Sequence, residues 1–321
     1  MKSSIKQKLR FILYRKPFRT LYIAISHFKT ERNKKLNDKD YIIKLVKENK
    51  GVKPNIDHPK KLYEKVLWLK LYYRNPLMIT CTDKYEVRQY VKNKGYKHLL
   101  TDIYGVYDSF DEINLENLPE KFFMKATHFS GGNQIFDQRS SNYQKAKKKF
   151  DKLLNTNYYY KSREWNYKNV RPRIIVEPLL NMNEFVDYKF FVISGKVEFF
   201  AIVKDINDDK GNQAIDTKFN LYNRDKTQFT GSVGRKRFDD EDFQFTLYLE
   251  DLIHIAEDLA LPFPYCRVDF LVSPNRVIFG EITFFPNGGT MILSPEKLEY
   301  VYGEKLKLNE INQKYVVKSD N

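Results

Sequence analysis

Only two cysteines occur in the 321 residues, Cys81 and Cys266. Two thiols cannot build a disulfide framework, and their separation matches no cysteine spacing of a zinc site. Two reduced thiols suit a cytoplasmic protein. No run of about 18 apolar residues is present, so no transmembrane helix is expected. The basic start is not followed by a clean apolar segment, so no secretory signal is read. There is no G-x-x-x-x-G-K-[ST] loop, which excludes a Walker-type nucleotide site. No Ser-His-Asp or Cys-His arrangement points to a side-chain nucleophile. The acid runs "DDK" and "DDED" lie in polar, loop-like or helix-start contexts, against the D-x-D metal motif of a sugar transferase. No nucleic-acid-binding motif is found.

Acidic residues are also scarce at the start. None precedes Glu31, and residues 1–50 hold 15 of the 56 Lys+Arg but 4 of the 41 Asp+Glu. The formal charge of +15 is therefore mostly a property of an N-terminal arm. Ile5, Leu9, Ile12 and Leu13 can share one helix face in that arm, with Lys and Arg over much of the rest. Such a helix either binds an anionic membrane surface through residues 1–30 or packs on the body with a solvated basic face. Nucleic acid is the weaker partner, because the basicity does not recur in the body.

What is abundant is aromatic: 23 Tyr and 24 Phe, 15% with Trp, in a chain that is 42% hydrophobic. Aromatics suit half-buried pleated surfaces, so a sheet-rich interior is expected. Residues 36–80 read as helical, and "DKYEVRQYVKNKG" as a further helix with a Gly end. "KFFMKAT" and "RPRIIVEPLL" read as strands. "DYKFFVISGKVEFFAIVKD" reads as a hairpin turning at Ser194-Gly195. The acid-led segment 239–260 reads as one long amphipathic helix. "SPEKLEYVYGEKL" reads as a terminal helix with Ser294 at the N-cap and Pro295 at N1. Helices on mostly antiparallel sheets give an α+β fold class.

Three stretches carry chemistry. "FFMKATHFSGGN" ends a strand near Lys125 and opens a loop at Ser130, Gly131 and Gly132. Such a loop can bring backbone N–H groups close to phosphate, or can be an ordinary glycine hairpin. "RIIVEPLLNMNE" places Glu177 at a strand end and Glu184 seven residues on. The third stretch, "YCRVDFLVSPNRVIFGEITFFPNGG", is the most telling. Its two strand-like runs carry Asp269 and Glu281 at positions that the pattern gives to apolar residues. In an antiparallel hairpin the two can face the same side, where they repel unless a cation lies between them. Arg267 shares that face with Asp269. The group is either a Mg²⁺ and phosphate site or a self-satisfied Arg–Asp–Glu cluster. In "YYYKSREWNYKN", Tyr and Trp faces suit sugar rings and Arg163 suits a carboxylate, unless the stretch is a packed surface flap. His128, beside the glycine loop, reads as a structural loop residue.

In order and spacing, "TDKYEVRQYV", "FFMKATHFSGGN", "IIVEPLLNMNE" and "RVDF…VIFGEITFFPNGG" together resemble the ATP-grasp fold. "LYEKVLWLKLYYRNPL", "YGVYDSFDEI", "YYYKSREWNYKNVRPRIIVE" and "FGEITFFP" resemble more narrowly its teichuronopeptide-biosynthesis (TupA-type) branch, over roughly residues 60–305. The resemblance implies two α+β subdomains clamping ATP. It divides the chain into a basic arm (1–58), a pre-ATP-grasp region (59–120), a lid subdomain (121–185) and a C-terminal subdomain with the Mg–ATP site (186–321). It implies ATP and Mg²⁺ as cofactors. Lys84 and Lys125 would meet the phosphates, and 130–133 would close over them. Glu177 and the backbone to Leu180 would frame the adenine, and Glu184 would bind the ribose. Asp269 and Glu281 would hold Mg²⁺, Arg267 would act at the acyl phosphate, and Lys189 would be a further phosphate contact. Arg163, Trp165 and Asn287 are the substrate candidates. Thr283 stands where many ATP-grasp ligases have Asn, with Asn287 as a substitute.

The implied activity is amide ligation. A carboxylate, in this branch a uronic acid of a surface polysaccharide, is phosphorylated by ATP and captured by an amino acid or other amine. A kinase or sugar transferase of the same kind of pathway and a non-catalytic membrane adaptor are the alternatives. The expected place is the cytoplasm, with peripheral contact at the inner face of the membrane.

Overall fold

The computed structural model describes residues 35–204, 217–239 and 243–317. The basic arm before residue 35, with Ile5, Leu9, Ile12 and Leu13, lies outside the described residues, as do "DDK" and Asp240–Asp242. Among the described residues no helix is long and apolar enough to cross a membrane.

Among the described residues the helical entry has four helices, α1 (Asp38–Lys50), α2 (Leu62–Tyr72), α3 (Leu77–Thr82) and α4 (Val87–Asn93). Helix α1 starts at Asn37, whose side chain accepts from the Asp40 N–H, and stops at Gly51 in the left-handed region (φ 76°). Both ends follow ordinary capping chemistry. Helix α2 is buried on nearly every side. Its buried residues include two charged ones, Glu64 and Lys70.

Two antiparallel sheets follow. The first comprises β1 (Gly105–Tyr107), β2 (Lys121–Ala126), β3 (Gln134–Asp137) and β4 (Ile174–Pro178), in the order β1-β4-β2-β3. Helix α5 (Tyr143–Leu154) covers its core of Phe122, Met124, Phe136, Phe150, Ile174 and Val176. The second sheet comprises β5 (Val186–Ile193), β6 (Lys196–Lys204), β7 (Lys218–Asn223), β8 (Tyr265–Ser273) and β9 (Arg276–Thr283), in the order β7-β6-β5-β8-β9. Helix α7 (Leu249–Ala260) packs on it through Leu252, Ile253, Ala256 and Leu259. A one-turn helix α6 (Tyr159–Ser162) lies in the aromatic stretch, and α8 (Lys297–Lys305) packs on α2 near the C-terminus.

Alternation along β5 sorts the second sheet by chemistry. Asp187, Lys189 and Phe191 share one face. Lys189 is paired with Asp269 on β8 and Phe191 with Arg267. That face changes along its length from charged to aromatic, ending in the Phe191–Phe199 stack at 4.5 Å.

Two expected helices are shorter than the pattern suggests. The described part of 239–260 becomes helical only at Leu249. Phe243 and Phe245 pack instead against Phe238, Phe200 and Tyr222, at 4.9–6.0 Å between ring centroids. The Thr246 N–H donates to the Tyr188 hydroxyl. Long-range aromatic packing outweighs the local helical pattern here. The terminal helix is capped by Glu296, not Ser294. The Ser294 backbone is engaged with Ser232 in a reciprocal pair of hydrogen bonds at 2.8 and 2.9 Å, so it cannot cap.

The β8–β9 hairpin contains a bulge beside Asp269. Phe270 pairs with Phe279 and Asp269 with Glu281, which leaves Gly280 as the extra residue. A bulge shifts the register by one, and a register shift changes which side chains are opposite. Without it Glu281 would face Val268. A Cβ on Gly280 would lie 3.0 Å from the Asp269 carbonyl oxygen and 3.3 Å from its Cβ, so only glycine fits closely. Gly280→Ala is expected to cost about 1–3 kcal/mol, as overpacking does, read from urea unfolding midpoints. An unchanged midpoint would mean that the bulge tolerates a side chain.

Candidate active site

A cleft of about 680 Å³ separates the two sheets. Its first wall carries Phe123 and Lys125 from β2, Glu177 at the end of β4, and the chain from Pro178 to Asn183. Its second wall carries Asp187 and Lys189 from β5, Asp269 from β8, and Ile278 to Glu281 from β9. Lys84, Val87 and Arg88 close one side from the α3–α4 region. The volume falls within the range of small-molecule and cofactor sites.

On the second wall the two acids face each other in register. The Arg267 guanidinium binds Asp269 through both oxygens, Nε to Oδ1 at 2.6 Å and a terminal nitrogen to Oδ2 at 2.7 Å. It also donates to Glu281 Oε1 at 3.0 Å and Thr283 Oγ1 at 3.1 Å. The Thr283 hydroxyl donates to Glu281 at 2.6 Å. Lys189 Nζ lies 2.6 Å from both Asp269 and Asp187. Three carboxylates and two cations thus form one network, and hydrogen bonds to charged groups are the strong kind. Burial would raise the Glu281 carboxyl, but Arg267, Lys189, Thr283 and Lys84 together hold it at about 2. Its side chain is still 51% open, on the cleft side. Arg267 is half-buried; burial would lower its pKa, but its acids push it up. Burial raises the Asp187 carboxyl against the pull of Lys189, and its Oδ1 is buried without a hydrogen-bond partner.

On the first wall Lys125 pairs with Glu177 and lies 5.2 Å over the Phe123 ring. Lys84 is lowered by burial, and its ammonium donates to the Phe129 carbonyl at 2.5 Å. Its backbone N–H donates to the Thr127 carbonyl at 3.2 Å. Lys84 therefore ties down the glycine loop between β2 and β3. In that loop Ser130 and Gly131 are exposed. Gly131 and Gly132 both have positive φ, 79° and 76°, which glycine adopts without strain. Neighbouring Asn133 reaches the cleft.

The structure brings most of the expected residues together. Lys84, Lys125, Glu177, Leu180, Lys189, Asp269 and Glu281 all line the cleft. Arg267 joins through its ion pairs. Glu184 sits in the turn after the cleft's Pro178–Asn183 edge, exposed, accepting from Asn181 at 2.8 Å. Three expected substrate residues lie outside the cleft lining. Arg163 is not open to a substrate; it is 3% exposed, faces Asp38, donates to the Leu36 carbonyl and stacks between Tyr41 and Tyr159. Trp165 is buried beneath the Arg74 guanidinium. Asn287 is exposed on the turn after β9, outside the cleft lining, and its carbonyl accepts from Thr290. Arg88 and Asp187 are cleft residues that the sequence reading passed over. The signal for Asp187 was its place two residues before Lys189 on one strand face.

The family model for TupA-like ATP-grasp proteins matches residues 64–307. The chain belongs to the TupA-like ATP-grasp family. A search of curated proteins found no match. Among solved structures the chain is similar to D-alanine–D-alanine ligase from Helicobacter pylori, with 15% identity over 78% of this chain and 67% of that one and a TM-score of 0.42. It is similar to the D-cycloserine synthetase DcsG, with 11% identity, 72% and 71% covered and a TM-score of 0.41. It is also similar to D-alanine–D-alanine ligase from Bacillus anthracis complexed with ATP, with 14% identity, 78% and 72% covered and a TM-score of 0.39. The family assignment rests on the 64–307 match alone.

His128 gives a pH test of this wall. It is buried, and burial lowers its pKa from 6.5 although Nε2 bonds the Leu153 carbonyl at 2.9 Å. The folded state therefore takes up its proton less readily than the unfolded chain. Its contribution is complete above about pH 6.5 and is lost as pH falls through the lowered folded value. Urea unfolding between pH 8 and 5 is expected to show falling stability below about 6.5, and His128→Gln is expected to flatten that slope. An identical slope in the variant would assign the effect to other groups.

Proposed function

We propose that the protein is an ATP-dependent carboxylate–amine ligase. The observation that carries this reading is the in-register Asp269–Glu281 pair, bridged by Arg267 and backed by Lys189, on one wall of a cleft whose other wall presents Lys125 and Glu177. In this reading Lys84 and Lys125 meet the ATP phosphates, with the loop 130–133 folding over them. Glu177 and the backbone to Leu180 frame the adenine, and Glu184 binds the ribose. The segments 121–185 and 186–321 act as the two jaws.

Asp269 and Glu281 would hold Mg²⁺. The fit is chemical: the donors are hard oxygens. Among the described residues no cluster of three or more His, Cys, Asp or Glu forms a complete cage. An ion held by two protein carboxylates, with phosphate oxygens and water for the rest, is the arrangement that Mg²⁺ favours. When bound, it would neutralise charge on the phosphates. Thr283 already bonds Glu281, so it orients the acid.

The protein's own groups account for the rest. Lys84, Lys125 and Lys189 spread phosphate charge, and Arg267 stabilises the oxyanion as the substrate carboxylate becomes an acyl phosphate. The closed loop excludes water, so that an amine and not hydroxide takes the acyl group. The carboxylate we assign is a uronic acid of a surface polysaccharide and the acceptor an amino acid or related amine. Basicity in residues 1–30 supports peripheral contact with an anionic membrane.

Calorimetry tests the nucleotide site. Wild-type protein is expected to bind ATP only with Mg²⁺ present. The pair Asp269→Asn/Glu281→Gln is expected to weaken that binding at least a hundredfold. A folded wild type that binds no ATP would end the ligase reading.

A further inference from the structure

Arg88 is a cleft cation that stands apart from the lysines assigned to phosphate. It is the second residue of α4, half-buried, four residues after Lys84. The turn that leads into α4 is fixed from within. The Asp83 carboxylate accepts from the backbone N–H groups of Tyr85 and Glu86 at 2.8 and 3.3 Å, and the Asp83 carbonyl accepts from the Val87 N–H at 3.0 Å. Both acids of this turn, Asp83 and Glu86, are taken by Arg173, at 2.7 and 2.8 Å. Arg88 is left without one. Among the described residues it forms no ion pair, and its hydrogen bond runs from a terminal nitrogen to the Thr101 carbonyl. A guanidinium carries five N–H donors and no acceptor, so most of its donors meet no protein acceptor there. A partly buried donor left unmet is costly. In a ligand cleft such a group is set for an acceptor that the ligand brings.

Strand pairing says which end of the cleft it serves. Strand β1 runs antiparallel to β4, with Tyr107 opposite Ile174 and Gly105 opposite Val176. The Tyr104 N–H donates to the Val176 carbonyl at 2.8 Å. The chain ahead of β1 therefore runs toward the end of β4 that carries Glu177 and Pro178. Leu100 and Thr101, in that chain, line the cleft with Arg88. Lys84 and Arg88 thus divide the cleft between them. Burial lowers both, but the carboxylate that most opposes this is Glu281 for Lys84 and Glu177 for Arg88. Lys84 belongs to the metal and phosphate end, Arg88 to the end where the proposed function places the base.

We infer that Arg88 is a specificity-determining residue for the nucleotide base, and that one of its unmet donors holds a ring nitrogen of adenine. This rests on the ATP-dependent reading above. Adenine presents acceptors at N1, N3 and N7, while its 6-amino group is a donor like the guanidinium itself. A donor-only side chain therefore reads the ring and not the amino group. The Thr101 carbonyl holds one arm of the fork in place. The guanidinium is oriented before the nucleotide arrives, and little side-chain freedom is lost on binding.

The test pairs the loss of the side chain with the loss of single ligand atoms. Calorimetry with Mg²⁺ gives the affinities of wild type and Arg88→Met for ATP and for 1-deaza-, 3-deaza- and 7-deaza-ATP, each of which has C–H in place of one ring nitrogen. Wild type is expected to bind one of the three about 10–100-fold more weakly than ATP, the worth of one hydrogen bond to a charged group. Arg88→Met is expected to bind ATP more weakly by a similar factor and to lose that discrimination. Far-UV circular dichroism checks that the variant folds. Loss of a phosphate contact, or of the tether to Thr101 alone, would weaken ATP and all three analogues alike. Unchanged ratios of that kind overturn the inference. The wild-type comparison decides even if Arg88→Met does not fold: equal affinity for ATP and all three analogues overturns it. In both cases ATP still binds, and the ligase reading stands. A folded wild type that binds no ATP overturns both.

Discussion

Two carboxylates side by side on neighbouring strands repel each other, and the second sheet is organised around meeting that constraint. Asp269 and Glu281 are brought opposite by the bulge at Gly280. Arg267, two residues before Asp269, has the planar fork of donors needed to bind both, which a lysine lacks. Lys189 takes the remaining side of Asp269 and shares its charge with Asp187. Removing Lys189 would leave the buried Asp187 unpaired, the costly direction for any buried ion pair.

The first sheet answers with opposite bias. Its contribution to the cleft is mainly apolar surface, Phe123, Ile135 and the Pro178–Leu180 edge, with one ion pair at Lys125–Glu177. One wall therefore suits a flat ring and the other suits charge. The cleft's asymmetry is a direct product of strand alternation, since each strand offers one face to the cleft and the other to its own core.

The legible parts of this molecule were those written in local pattern. Acids in place of apolar residues marked Asp269 and Glu281, and Ser194-Gly195 marked the β5–β6 turn. Parts decided by distant contacts were not legible. Phe243 and Phe245 lie in an acid-led run that reads as helix, yet rings on β6 and β7 claim Phe245, and Phe238 and Phe245 claim Phe243. Ser294 looks like a cap until Ser232 takes its backbone. Arg163 and Trp165 sit in a polar, aromatic run that reads the same whether it faces solvent or core. Only the partners Asp38, Tyr41 and Arg74, more than 90 residues or more than 120 residues away in sequence, decide it. Asp187 looked like an ordinary strand start because its meaning comes from Lys189 beside it.

Lys84 holds the glycine loop twice, by its backbone at Thr127 and by its ammonium at Phe129. The two tethers differ in kind. A phosphate can compete for the ammonium but has no claim on the backbone bond. In the proposed ligase reading, nucleotide arrival would unfasten the loop at one point while keeping it pinned at the other, as a hatch is freed from its latch but not from its hinge. The tip at Ser130–Gly131 would gain its freedom to swing only when there is something beneath it to cover.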